Sequence, residues 1–112
     1  MTRYEQGDVL LVPFPFTDQS GFKQRPSVVI SSTAYNQAHF DVILAPITSQ
    51  IAHLADEVSL TDWQAEGLFK PSVVKPISSS FDARLARRVL GELSASDLAQ
   101  VRALFARILD LL

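Results

Sequence analysis

The chain has no cysteine, so disulfide bridges and thiol chemistry are excluded, and the expected setting is a reducing cytoplasm. It has no apolar run of the ~18 residues needed to span a membrane, and Met1–Asp8 lacks the apolar core of a signal peptide. Histidine is scarce: His39 and His53 both fall in turn-like stretches fourteen positions apart, which suits neither an acid–base dyad nor a metal site. Excess positive charge is also missing. A net charge of −2 argues against a protein that coats nucleic acid through many phosphate contacts. The charge is uneven, however. Asp56 to Glu66 holds four acidic residues and no basic one, whereas Lys70 to Leu112 holds seven basic against four acidic, so a local basic surface is compatible with the acidic total.

What is present is enough for one folded unit. A hydrophobic fraction of 47% over 112 residues supports a core, and no repeat, linker or low-complexity segment divides residues 1–112. The stretch from Gly7 to Ser32 organises the rest. Val9–Val12 and Ser27–Ile30 are continuous aliphatic runs that fit strands buried on both faces, with Pro13, Pro15 and Pro26 arguing against helix. Between them Thr17–Gln24 is polar except for Gly21 and Phe22, and reads as a scaffolded surface loop. Arg25 follows it. Its backbone is pushed to an extended conformation by Pro26, which projects the guanidinium at the strand entrance.

Further strands are expected at Phe40–Ile47, stopped by Thr48, Ser49 and Gln50, then at Glu57–Leu60 and at Val73–Val74. Ala34–His39 reads as a turn, Ile51–Ala55 as a loop and Ser78–Ser80 as a serine loop. Thr61 and Gln64 have capping-box spacing for a short helix carrying Trp63 and ended by Gly67. Trp63 fits the core better than a base-stacking role, and Asp56–Glu57 fits a solvated face. Asp82–Leu90 is expected to start as a strand and turn helical, with Asp82 as cap and Gly91 as stop. The last element is a helix from Ser94 and Asp97, with Leu98, Val101, Leu104, Phe105, Ile108 and Leu112 on one face. The fold expected is mainly β with α additions: a small SH3-like barrel with a C-terminal helix, since short apolar strands in an open sheet would leave edges unpaired.

Taken in order, Gly7-Asp8, Arg25-Pro26, Ile47-Thr48-Ser49, Gly67-Leu68 with Pro71-Ser72, and Gly91-Glu92-Leu93-Ser94 resemble the MazF/PemK toxin family over nearly the whole chain. Each motif is common alone; the ordered set is specific. The resemblance implies a homodimeric plasmid-maintenance-toxin barrel, a type II toxin that cleaves single-stranded RNA without a cofactor and is neutralised by an antitoxin. It also implies roles. Arg25 and Thr48 match the family's cleavage residues. The loop residues Thr17, Asp18, Gln19, Ser20, Lys23 and Gln24, with Ser49, Gln50, Ser79 and Ser80, match the RNA-contacting regions. The family's Gly-Ser-Glu loop pattern is here Asp18-Gln19-Ser20-Gly21-Phe22-Lys23, and Ser79 stands where many relatives carry a basic residue.

Arg25 suits such a reaction because a guanidinium donates in a bidentate fork and, with a pKa above roughly 12, stabilises charge rather than removing protons. Thr48 and Ser49 offer hydroxyls to the same phosphate. Two other readings compete: a gyrase-poisoning toxin of the same fold, tied to a tryptophan-containing C-terminal end where this chain has Ile108-Leu109-Asp110-Leu111-Leu112, and a non-catalytic SH3-like binding module, whose aromatic groove scattered Tyr4, Tyr35 and Trp63 do not suggest.

Overall fold

Both apolar runs form strands longer than their aliphatic cores. In the computed structural model, which describes residues 4–15, 22–51 and 55–111, Asp8–Pro15 (β1) pairs antiparallel with Phe22–Val29 (β2), Val9 opposite Val28 and Val12 opposite Arg25. Phe22, Lys23 and Gln24, expected in the loop, are therefore strand residues opposite Pro15, Phe14 and Pro13. The prolines are tolerated for a definite reason. The Leu11 carbonyl accepts from the Arg87 N–H of the neighbouring chain segment, so Pro13 and Pro15, two and four residues on, turn their missing N–H toward an edge with no paired strand among the described residues.

Asp41–Thr48 (β3) is the hub. One edge pairs with β2, Ser27 opposite Pro46 and Val29 opposite Leu44. Its other edge is shared: Asp41–Leu44 pairs with Ser79–Asp82 (β6), and Ile47–Thr48 with Val73–Val74 (β5). Pro46 sits at the changeover, and its carbonyl accepts from Lys75 N–H at 3.0 Å. Val58–Ser59 (β4) pairs outside β5, and Arg88–Glu92 (β7) pairs with β1, giving a seven-stranded sheet in the order β4-β5-β3-β2-β1-β7 with β6 on β3. Each of these pairings is antiparallel. The mainly β architecture and the terminal helix agree with the sequence reading.

Several local expectations are corrected. Ala34–His39 is not a turn: Thr33–Ala38 is a short helix (α1), whose start is capped by Ser32 Oγ accepting from Tyr35 N–H at 3.0 Å. Ser79 and Ser80 are strand rather than loop, because β3 offers them a ladder. After β6 the order is reversed from that expected, a 3-10 turn at Ala83–Leu85 capped by Asp82 and then β7, so Gly91 lies within a strand. Thr61–Gly67 makes turns rather than a regular helix, and its leading amides at Thr61 and Asp62 donate to the buried Asp97 carboxylate at 3.2 and 3.0 Å. Glu57 is not solvated: its side chain is 3% exposed and pairs with Lys75 at 2.8 Å, while Asp56 meets Arg107 at the surface.

The core lies on both faces of β1. Val9 joins Val28, Ile47, Leu60, Val74 and the inner face of Ala95–Ile108 (α2), through Val101, Leu104 and Phe105. Leu10 and Val12 join Val29, Val42 and Leu44 in a second cluster on the opposite face. Each such side chain contributes about 1.5–3 kcal/mol through burial, which fixes the sheet that carries the site. Ser94 caps α2, accepting from Asp97 N–H at 3.2 Å. The apolar stripe runs out at Ile108, which is exposed; Leu112 lies outside the described residues.

Candidate active site

Antiparallel pairing puts the start of β2 and the end of β3 at the same end of the sheet. The ladder closes at Ser27–Pro46; two residues further along the same register stand Arg25 and Thr48. Both line one pocket of about 370 Å³. Its apolar lining comes from Leu11, Pro26, Ile47, Leu68 and Leu90, the exposed residues Gln24, Ser49, Phe69, Lys70 and Arg88 carry its rim, and Ser72, which also lines it, is buried. Among the described residues, the lining includes three cations (Arg25, Lys70 and Arg88) and no carboxylate, histidine or cysteine. In a chain of net charge −2 this is a concentrated positive site, the local basic surface that the charge distribution allowed.

Thr48 is half-buried, and its Oγ1 accepts from Gln50 N–H at 3.1 Å. That bond occupies one lone pair and leaves the hydroxyl proton to donate into the pocket. Gln50 thus acts through its backbone on Thr48. Arg25 is exposed at the pocket wall.

Of the residues expected to contact RNA, Gln24 and Ser49 line the pocket beside Arg25 and Thr48. Ser79 and Ser80 do not. They sit on β6 opposite Leu44 and Ile43, up the strand from Thr48, and Ser79 Oγ donates to the Ser80 carbonyl at 3.2 Å. Thr17, Asp18, Gln19 and Ser20 lie outside the described residues, as does His53; Lys23 is described by its backbone only. His39 lines a different pocket with Tyr4, Phe40 and Arg84.

Lys70 and Arg88 carry no local signal that links them to Arg25. Pairing brings them there: Arg88 is opposite Leu11 in the β1–β7 ladder, and Lys70 precedes the strand that pairs with Thr48. The wall between them is held by close backbone contact. Gly67 has φ +89°, and a Cβ there would lie 2.1 Å from the Leu90 carbonyl oxygen; one on Gly91 would lie 2.6 Å from that of Glu66. Ser72 Oγ donates to the Lys70 carbonyl at 2.8 Å and Leu60 N–H to the Ser72 carbonyl at 3.0 Å, which anchors the Lys70 segment.

Behind this wall lies a carboxyl pair. Glu66 is 1% exposed; one oxygen accepts from Ser94 N–H at 2.8 Å and the other has no hydrogen-bond partner. Burial, opposed by the Ser94 amide and reinforced by Asp97, pushes the Glu66 carboxyl up to about 7. Folding also gathers carboxylates that the sequence leaves apart, Asp62 with Glu66 and Asp97, and Glu5 with Asp8 and Glu92. Neither group lines the Arg25 pocket.

A seven-stranded antiparallel sheet with a C-terminal helix matches the structures of MazF toxins. It is similar to a crystal structure of MazE–MazF from Deinococcus radiodurans, with a TM-score of 0.81 and 25% identity over the whole of both chains. MazF from the same organism gives a TM-score of 0.76 at 29% identity, covering 98% of this chain and 99% of that one. The Mycobacterium tuberculosis toxin MazF-mt6 shares the fold, with a TM-score of 0.76 at 24% identity, covering 92% and 96%. No curated protein matches the chain. Residues 5–109 match the PemK-like, MazF-like toxins of type II toxin–antitoxin systems, and the chain belongs to that family.

Proposed function

We propose that the chain is a growth-inhibiting, sequence-selective endoribonuclease, an mRNA interferase that cleaves single-stranded RNA at the Arg25–Thr48 pocket. The observation that carries this reading is the convergence of Arg25 and Thr48, from two strands, on one partly apolar pocket with three cations and no carboxylate among its described lining residues. In such a site the substrate supplies the nucleophile. The RNA 2′-hydroxyl attacks the adjacent phosphorus, the bond to the 5′-oxygen breaks, and one proton passes from the 2′-oxygen to the departing 5′-oxygen. The products are a 2′,3′-cyclic phosphate and a 5′-hydroxyl. Arg25 stabilises the charge that builds on the phosphoryl oxygens, and Thr48, oriented by the Gln50 amide, donates to one of them. Gln24 and Ser49 position the strand. The described side chains of the pocket include none of the usual metal ligands, and cleavage is proposed to need no metal.

A cognate antitoxin is the expected partner; an acidic segment of it would compete for the same cations. The gyrase-poisoning alternative is not favoured, since residues 5–109 match the PemK-like, MazF-like toxin family. The test is incubation of purified protein with RNA of varied sequence in excess chelator, and with the same RNA 2′-O-methylated. Cleavage in chelator to cyclic-phosphate ends, abolished by 2′-O-methylation, is expected. Loss of activity in chelator, or cleavage of the blocked RNA, contradicts the mechanism.

A further inference from the structure

We propose that Phe69 is a base-stacking platform which, with Lys70, forms a nucleotide subsite at the rim of the Arg25–Thr48 pocket. The inference rests on the endoribonuclease reading and adds to it the feature that would hold a base. Phe69 is 88% exposed, the most exposed large hydrophobic side chain among the described residues. Phe40, also exposed, has its ring covered by the Arg84 guanidinium at 4.8 Å; Phe69 has no such cover among the described residues. The backbone beneath it is fixed on both sides. Leu68 is buried in the core and its N–H donates to the Trp63 carbonyl at 3.1 Å, while the Lys70 carbonyl accepts from Ser72 Oγ and Pro71 holds Lys70 extended. A ring with two rotatable bonds on an anchored segment loses little entropy when a ligand covers it.

The chemistry around the ring selects the occupant. A flat apolar face beside Lys70, with Arg25 and Arg88 in the same pocket and no acid among its described lining residues, matches a ligand with alternating π-faces and negative charges. Single-stranded RNA is such a ligand: the base lies on Phe69 and a flanking phosphate meets Lys70. An acidic peptide would use the cations and leave the ring idle. Trp63, the aromatic weighed for this role from sequence, packs against the core instead.

The test is fluorescence anisotropy with a 2′-O-methyl RNA of about 15 nucleotides and mixed sequence, set against an abasic sugar–phosphate strand of equal length. Phe69→Ala is expected to weaken the base-bearing strand about ten-fold and leave the abasic strand within about two-fold, Phe69→Trp to restore binding, and Lys70→Ala to weaken both strands. If wild type binds the RNA and Phe69→Ala binds it equally well, the stacking role is overturned while the endoribonuclease reading stands. Equal weakening on both strands, or unchanged RNA binding with lost dimerisation or lost antitoxin binding, also overturns it. Failure of the wild type to bind either strand overturns the parent reading itself.

Discussion

At the scale of single residues, chemistry depends on what surrounds each group. Glu66 is held close to neutrality by burial, with its carboxyl at about 7 against an ordinary 4.5. The folded state therefore keeps a proton that the unfolded chain releases. The stability this group contributes is complete below about pH 4.5 and is lost as the pH rises through about 7. Glu66→Gln, whose amide can still accept from Ser94 and can donate to Asp97, is expected to be more stable than wild type at pH 8 by on the order of 1 kcal/mol, and about equal near pH 5. Thermal melts at the two pH values check this; a constant difference between the proteins would show that Glu66 does not titrate in that range. The strand signals beside Arg25 and Thr48 made their positions at the ends of β2 and β3 legible, while their proposed roles in cleavage come from the family resemblance. Glu66 and Asp97 were not legible as a pair, since the contact spans thirty-one positions and depends on where α2 docks.

At the scale of elements, long aliphatic strands and the terminal helix were legible from periodicity, because burial on a sheet face or helix stripe imposes it. The six-residue α1 imposes almost none, whereas the two-residue β4 and β5 fall within the strands expected at Glu57–Leu60 and Val73–Val74. β6 and β7 were misread for a related reason: a serine run and an Arg-rich segment become strands only because β3 and β1 supply ladders. The wall formed by Glu66–Gly67 on Leu90–Gly91 belongs at this scale too. Gly67→Ala would add a Cβ 2.1 Å from a backbone oxygen at a left-handed φ, and is expected to destabilise the protein by about 3 kcal/mol or more. Because Gly67, Leu68 and Lys70 line the pocket, RNA cleavage should fall in the same variant at temperatures where circular dichroism still shows it folded. Full activity in a folded Gly67→Ala protein would separate the wall from the site.

At the scale of the whole molecule, apolar surface remains to be covered. Leu109 and Leu111, off the stripe that packs α2, are 59% and 70% exposed, which supports the homodimer implied by the family resemblance. Sedimentation at micromolar concentration is expected to give twice the 12.4 kDa chain mass, and Leu109→Ser with Leu111→Ser to shift it toward monomer. A monomer at every concentration would remove the dimer. No helix is long and apolar enough to cross a membrane among the described residues. Among the described residues, Arg25, Lys70 and Arg88 line a cationic pocket where the start of β2 meets the end of β3. The most direct test is the single-turnover rate of RNA cleavage by folded Arg25→Ala beside wild type. Loss of a preorganised charge-stabilising donor is expected to cost on the order of 10²- to 10³-fold, with a smaller loss for Thr48→Val. An Arg25→Ala rate equal to wild type would contradict the assignment of this pocket as the active site.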